Sequence, residues 1–212
     1  MVLQIKVLEL GDVVDFLRSA VNPPELTAIH TSLETLRTLN AIDPDDEDRL
    51  TPLGYHLAAL PVDPRLGKLL ILGAIFRCLD PVLTVAAAMS VRSPFVAPLE
   101  KREEADAAKR EFSVANSDHL TLLKAFDGWM HALQEGARAE RTFLRENFLS
   151  RNTLTAISDI RAQFLELLRG IGFATHLPGV PRARGAGRFR VQVASSAAAD
   201  NVNADCLPLL QA

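Results

Sequence analysis

The chain has 212 residues, 48% of them hydrophobic and 6% aromatic, with 23 Lys and Arg against 26 Asp and Glu. This length and apolar supply suit one sizeable or two small soluble domains, and exclude a collagen, a disordered tail or a disulfide miniprotein. The apolar residues are chiefly Leu, Ala, Val and Ile, which favour packed helices over a β-sandwich.

In chain order, 2–10 and 12–20 read as two short helices, the second opened by Asp12 and closed before Asn22-Pro23-Pro24. From Glu25 to Asn40, Leu26, Ile29, Leu33, Leu36 and Leu39 recur at three- and four-residue steps and form one face of an amphipathic helix. The acidic turn Asp43 to Asp48, between Ala41-Ile42 and Arg49-Leu50, reads as a small β-hairpin. Thr51-Pro52 then opens a short helix over 52–60. Three helices, a hairpin and a further helix within 1–62 describe a winged helix. This segment carries 4 basic and 10 acidic residues, and helix 25–40 offers only Arg37 against Glu25 and Glu34, so a structural winged helix is favoured over a DNA reader.

After Pro61-Val62-Asp63-Pro64, helices 65–79 and 81–91 are apolar on most faces and should be buried, with Asp80-Pro81 as N-cap and first helical residue. Segment 99–112 is a solvated helix or loop. Ser117 caps a helix over 118–135 that Gly136 ends, and helices over 138–149 and 153–169 follow. Residues 63–174 are therefore an all-α bundle. The tail 175–212 reads as a linker, with strand alternation only at Arg188 to Val193.

The longest apolar run, 66–79, is broken by Lys68 and Arg77 and is too short to cross a bilayer. Residues 1–10 carry Lys6 and Glu9 in an apolar stretch and do not read as a signal peptide. Cys78 and Cys206 lie far apart, without Cys or His at ligand spacing, so no metal site is expected and the expected location is cytoplasmic or nuclear. Eighteen of the 23 basic residues are Arg, a bias compatible with phosphate recognition and with ordinary surface ion pairs alike.

Ser117-Asp118-His119 has the residue types of a triad, but neighbours on a helix point about 100° apart, and capping explains the string. No catalytic residue is expected. Trp129 shares a stripe with Phe126 and reads as core rather than as a base-stacking platform. Gly67-Lys68 lacks the upstream glycine and following Ser or Thr of a phosphate loop, and no Asp-Glu-x-His box is present, so these residues carry no apparatus for ATP hydrolysis. Asn147, Ser150, Arg151 and Asn152 form a polar joint ahead of a helix that carries Arg161 and Gln163. Free N–H groups and the Arg151 fork there suit a phosphate, and ordinary capping with surface charge is the alternative. Arg151, taken as exposed, is expected to add little stability.

Several stretches occur in one order: Leu3-Gln4-Ile5-Lys6, Asn22-Pro23-Pro24, Leu39-Asn40-Ala41-Ile42-Asp43, Leu50-Thr51-Pro52-Leu53-Gly54, Leu60 to Arg65, Leu79-Asp80-Pro81, Ser93-Pro94-Phe95, Ser117 to Leu120, Glu146 to Ser150, and Ile160 to Phe164. Together they resemble the C-terminal accessory region of the DEAH-box RNA helicases, nearest to the RNA helicase A-like subgroup. The resemblance covers about 1–174, skips 175–200 and resumes weakly at 201–212, where it implies a flexible tail leading toward an OB-fold that the chain lacks.

The resemblance implies a mainly α fold: a winged helix over 1–62, a ratchet-like helical bundle over 63–174 and a linker over 175–212. It implies a non-motor accessory fragment of an ATP-dependent RNA helicase that helps form the single-stranded RNA channel and couples domain motion to unwinding. Asn147, Ser150, Arg151, Asn152, Arg161 and Gln163 would face RNA, His119 would touch RNA or line the bundle, and Arg65 and Lys68, which flank the interdomain joint, would pair with nearby acids or contact RNA. ATP and Mg would belong to the motor domains of the parent chain, with no cofactor in this fragment. Partners would be single-stranded RNA or other nucleic acid, the RecA-like motor domains and a helicase activator protein, with no membrane. The competing reading is a protein-interaction module that docks a motor domain or activator with little RNA contact.

Overall fold

A computed structural model describes residues 1–46 and 49–174, and every described element of regular structure is helical apart from isolated β-bridges. The chain divides into two compact units, Met1–Leu72 and a second from Gly73 onward. The expectations for the tail, including the strand at Arg188 to Val193 and the approach to an OB-fold, lie outside the described residues, as do Glu47 and Asp48 of the acidic turn.

In the first unit, α1 (Val2–Val7) and α2 (Val13–Arg18) are shorter than the apolar pattern predicts. Glu9 (φ 53°) and Gly11 (φ 92°) turn the chain between them, and the Asp12 carboxylate accepts the Asp15 N–H at 2.9 Å to start α2. Ile5, Val13, Leu17 and Ile29 of α3 (Leu26–Thr38) form one core cluster. The α3 stripe is graded: Ile29 and Leu36 are buried and Leu26 is exposed. Among the described residues the hairpin shows one antiparallel bridge, Ile42 to Leu50, with Asp43 N–H donating to Arg49 O at 2.9 Å. α4 (Pro52–Ala59) then packs so closely that a Cβ on Gly54 would collide with the Ala41 carbonyl oxygen, and α1 lies against α4.

α5 (Pro64–Ile75) ends four residues before the predicted position, and Ile75 and Phe76 are 58% and 53% exposed, contrary to a helix buried on most faces. Arg77 (φ 59°) reverses the chain, and Cys78, not Asp80, is the N-cap of α6 (Leu79–Met89). Asp80 and Pro81 thus occupy the first helical turn, where proline costs no hydrogen bond and a carboxylate suits the dipole. Every residue from Pro81 to Ala88 is buried, and α6 packs against α8 (Asp118–Glu135) and α10 (Arg151–Gly170). A short 3₁₀ turn at Leu99–Lys101 leads into α7 (Arg102–Glu111), which settles the charged segment as helix. α9 (Ala137–Glu146) packs on α8, where Gly128 makes room for the Phe143 ring.

Candidate nucleic-acid interface

The start of α10 is held from two sides. Phe148 (φ 51°) takes the chain out of α9, so Phe148 and Leu149 are not helical as their apolar pattern suggested. Leu149 pairs with Phe95 in an antiparallel bridge, Val96 N–H donates to Phe148 O at 2.8 Å, and Ser150 N–H donates to Pro94 O at 2.8 Å. Ser150 is the N-cap: its hydroxyl oxygen accepts the Thr153 N–H at 3.4 Å and the Thr153 hydroxyl at 3.0 Å. Arg151 and Asn152 are therefore first-turn residues of α10 rather than a joint, and both are exposed.

Beneath Arg151 lies a group that the sequence did not reveal. Glu140 of α9 is buried to 2% exposure, and its Oε1 accepts from the Trp129 indole N–H at 3.2 Å and lies 3.0 Å from Arg151 Nε. Trp129 is indeed core, 3% exposed and edge-on to Phe126. A buried carboxylate needs partners of this kind, and Glu140 fixes Arg151 by its inner edge while the guanidinium stays largely in solvent. Arg151 is thus not an isolated surface charge, which corrects the expectation that it adds little stability. The available signal was a carboxylate in phase with Phe143 and Asn147 on the inward face of α9.

Arg161 is placed differently. Its Nη2 meets Asp80 Oδ1 at 2.5 Å, its Cζ stands 4.8 Å from the Phe126 ring centroid, and its side chain is 17% exposed. The guanidinium is committed to an ion pair and a cation–π contact between α6, α8 and α10. Asp127 borders this cluster at the solvent edge. Burial by the surrounding helices and then the Asp80 carboxylate push its carboxyl up to about 6, against the pull of Arg161 and His131.

The other predicted residues divide by exposure. Asn147 turns its amide inward to donate to Phe143 O at 2.8 Å, whereas His119 and Gln163 are exposed. In the first unit Arg65 is exposed, and the Lys68 ammonium donates to Leu39 O at 2.9 Å, closing the C-terminus of α3. The structure therefore brings Arg151 and Asn152 together on one helical turn, and it engages Ser150, Asn147, Arg161 and Lys68 in the hydrogen bonds and ion pair described above. No buried side-chain N or O atom among the described residues lacks a hydrogen-bond partner. Among the described residues no group of His, Cys, Asp and Glu is placed to hold a metal ion, and no helix is long and apolar enough to cross a membrane.

Two family descriptions match the chain in succession: "Helicase associated domain (HA2), winged-helix" over residues 32–62, and "Helicase associated domain (HA2), ratchet-like" over 63–122. The chain carries a helicase-associated (HA2) region. Its relatives are DEAH-box ATP-dependent RNA helicases. It is 49% identical over 172 residues to the DExH-box ATP-dependent RNA helicase DExH1 of Arabidopsis thaliana, covering 81% of this chain and 17% of the relative. It is 48% identical over 174 residues to the human ATP-dependent DNA/RNA helicase DHX36, covering 82% and 17%. It is 45% identical over 174 residues to the mouse ATP-dependent RNA helicase DHX29, covering 82% and 13%. The HA2 chain thus spans less than a fifth of the length of these relatives.

Proposed function

We propose that this HA2 chain is a non-motor accessory region of an ATP-dependent RNA helicase, that it helps form a single-stranded RNA channel, and that it couples domain motion to unwinding. The observation that carries the reading is the succession of the two HA2 matches, joined to identities of 45–49% with helicases along 81–82% of the chain. The abutting matches support a winged-helix domain to residue 62 and a ratchet-like domain from 63. Within the second, Arg151 is the residue suited to a phosphate: exposed, cationic and held by Glu140 in one orientation. Asn152 beside it, and Arg65, His119 and Gln163 elsewhere on the surface, are the remaining exposed candidates. ATP and Mg would belong to motor domains of a parent chain. The residues here do not fit them, since Gly67-Lys68 lies inside α5 with the lysine bonded to Leu39 O rather than on a phosphate-cradling loop.

A titration of labelled single-stranded RNA across salt tests the reading. Binding should be weak, independent of sequence and salt-dependent, and Arg151→Gln should flatten the log-affinity against log-salt slope by about 0.7, the value of one phosphate contact on a single strand. Arg151→Lys, which keeps the charge, should retain most of the slope. Equal affinity and slope in all three proteins would instead favour the docking-module reading. That reading draws its support from the acidic surplus of 1–62, with Asp12, Asp15, Glu25 and Glu34 all exposed.

A further inference from the structure

Helix α9 is two-faced. At about 100° per residue, Glu140, Phe143, Leu144 and Asn147 fall on the side that packs toward α8 and the start of α10, where Glu140 meets Trp129 and Arg151. Arg138, Arg141 and Arg145 fall together on the opposite side, with no acidic residue among them. All three arginines are exposed, and Arg145 keeps 78% of its side-chain surface in solvent. Their ion pairing is slight. Arg138 and Arg141 pair with no carboxylate among the described residues, the Arg141 Nε–H donates to the Ala137 carbonyl at 3.0 Å, and Arg145 meets its neighbour Glu146 at 3.8 Å.

Helix stability accounts for Arg145, a cation in the last turn of α9, but not for the rest of this stripe. Arg138 stands in the first turn of α9, at the positive end of the dipole, where a cation is unfavourable and an acid would be expected. Three like charges at three- and four-residue steps also repel one another. A row of planar guanidinium forks along one side of a helix, stretching over roughly 10 Å at 1.5 Å per residue, complements a chain of phosphates better than it complements single carboxylates.

We infer that the outer face of α9, through Arg138, Arg141 and Arg145, binds the phosphodiester backbone of nucleic acid without reading sequence. This track points away from Glu140, and so away from the guanidinium that Glu140 holds. It extends the reading of the chain as a nucleic-acid-contacting helicase region, and it rests on that reading.

The test uses the 212-residue chain, a labelled oligouridylate single strand, and a salt series beginning at low ionic strength. The variants are Arg138→Gln/Arg141→Gln/Arg145→Gln, the matching triple Lys substitution, and Arg151→Gln. The triple Gln variant should flatten the log-affinity against log-salt slope by about 2, since each phosphate contact on a single strand contributes about 0.7. The triple Lys variant should keep most of the slope, and Arg151→Gln should remove its own share independently. Circular dichroism should be unchanged in the triple variants and the urea midpoint should not fall, because the replaced side chains are exposed and repel one another. If the unsubstituted chain binds and the triple Gln variant binds identically, the α9 track is overturned while the helicase reading stands. If the unsubstituted chain shows no salt-dependent binding even at low salt, both fall. Equal binding of polyglutamate, lost equally on triple substitution, would overturn the inference by giving the face to an acidic protein surface.

Discussion

Replacing Arg151 by Ala should destabilise the second unit even though the side chain is 61% exposed, because its partner is not. The variant leaves the Glu140 carboxylate, 2% exposed, with the neutral Trp129 N–H as its remaining hydrogen-bond donor. Breaking a fully buried ion pair costs about 3–5 kcal/mol, but water already screens the outer half of this one, so the expected loss is about 1–3 kcal/mol. In urea this should lower the unfolding midpoint by on the order of 1 M without changing the slope. Adding Glu140→Gln should restore much of the loss, since a glutamine oxygen still accepts the indole N–H and no charge is left to desolvate. Glu140→Gln alone should cost less than Arg151→Ala, because the freed guanidinium is solvated. An Arg151→Ala chain that unfolds at the unsubstituted midpoint would refute the reasoning, as would a double variant no more stable than that single one.

The Asp127 carboxyl, raised to about 6, binds its proton more readily folded than unfolded, so lowering the pH from 7 toward 4 should stabilise the second unit at this site. Asp127→Asn should flatten the difference between urea midpoints measured at pH 7 and pH 5. Gly73→Ala would set a Cβ 2.8 Å from Val82 Cγ1 where α5 meets α6, and should cost about 1–3 kcal/mol by denaturant titration. Gly54→Ala should cost more, because its obstacle is the Ala41 backbone, which cannot rotate aside. Lys68→Met keeps the apolar stem but removes the ammonium from Leu39 O, and should lower stability by about 1 kcal/mol.

The sequence alone determined the order and type of the helices other than α7, because periodicity, proline and capping residues act within a few positions of the chain. Asp12, Thr51 and Ser117 cap the helices that their side chains announce. The wording of ten short stretches carried the family, which the HA2 matches and the helicase identities then bore out. Helix ends were read less well. Arg77 and Phe148 adopt positive φ without being glycine, a backbone choice that tertiary packing imposes and no local signal marks. The candidate site was legible only as a list of polar residues. Which of them stay exposed depended on partners distant in sequence: Asp80 meets Arg161 across 81 positions, and Trp129 and Glu140 meet 11 apart on successive helices. Burial and pairing of charge are properties of two surfaces brought together, so only the tertiary structure could separate Arg151, held and exposed, from Arg161, held and enclosed.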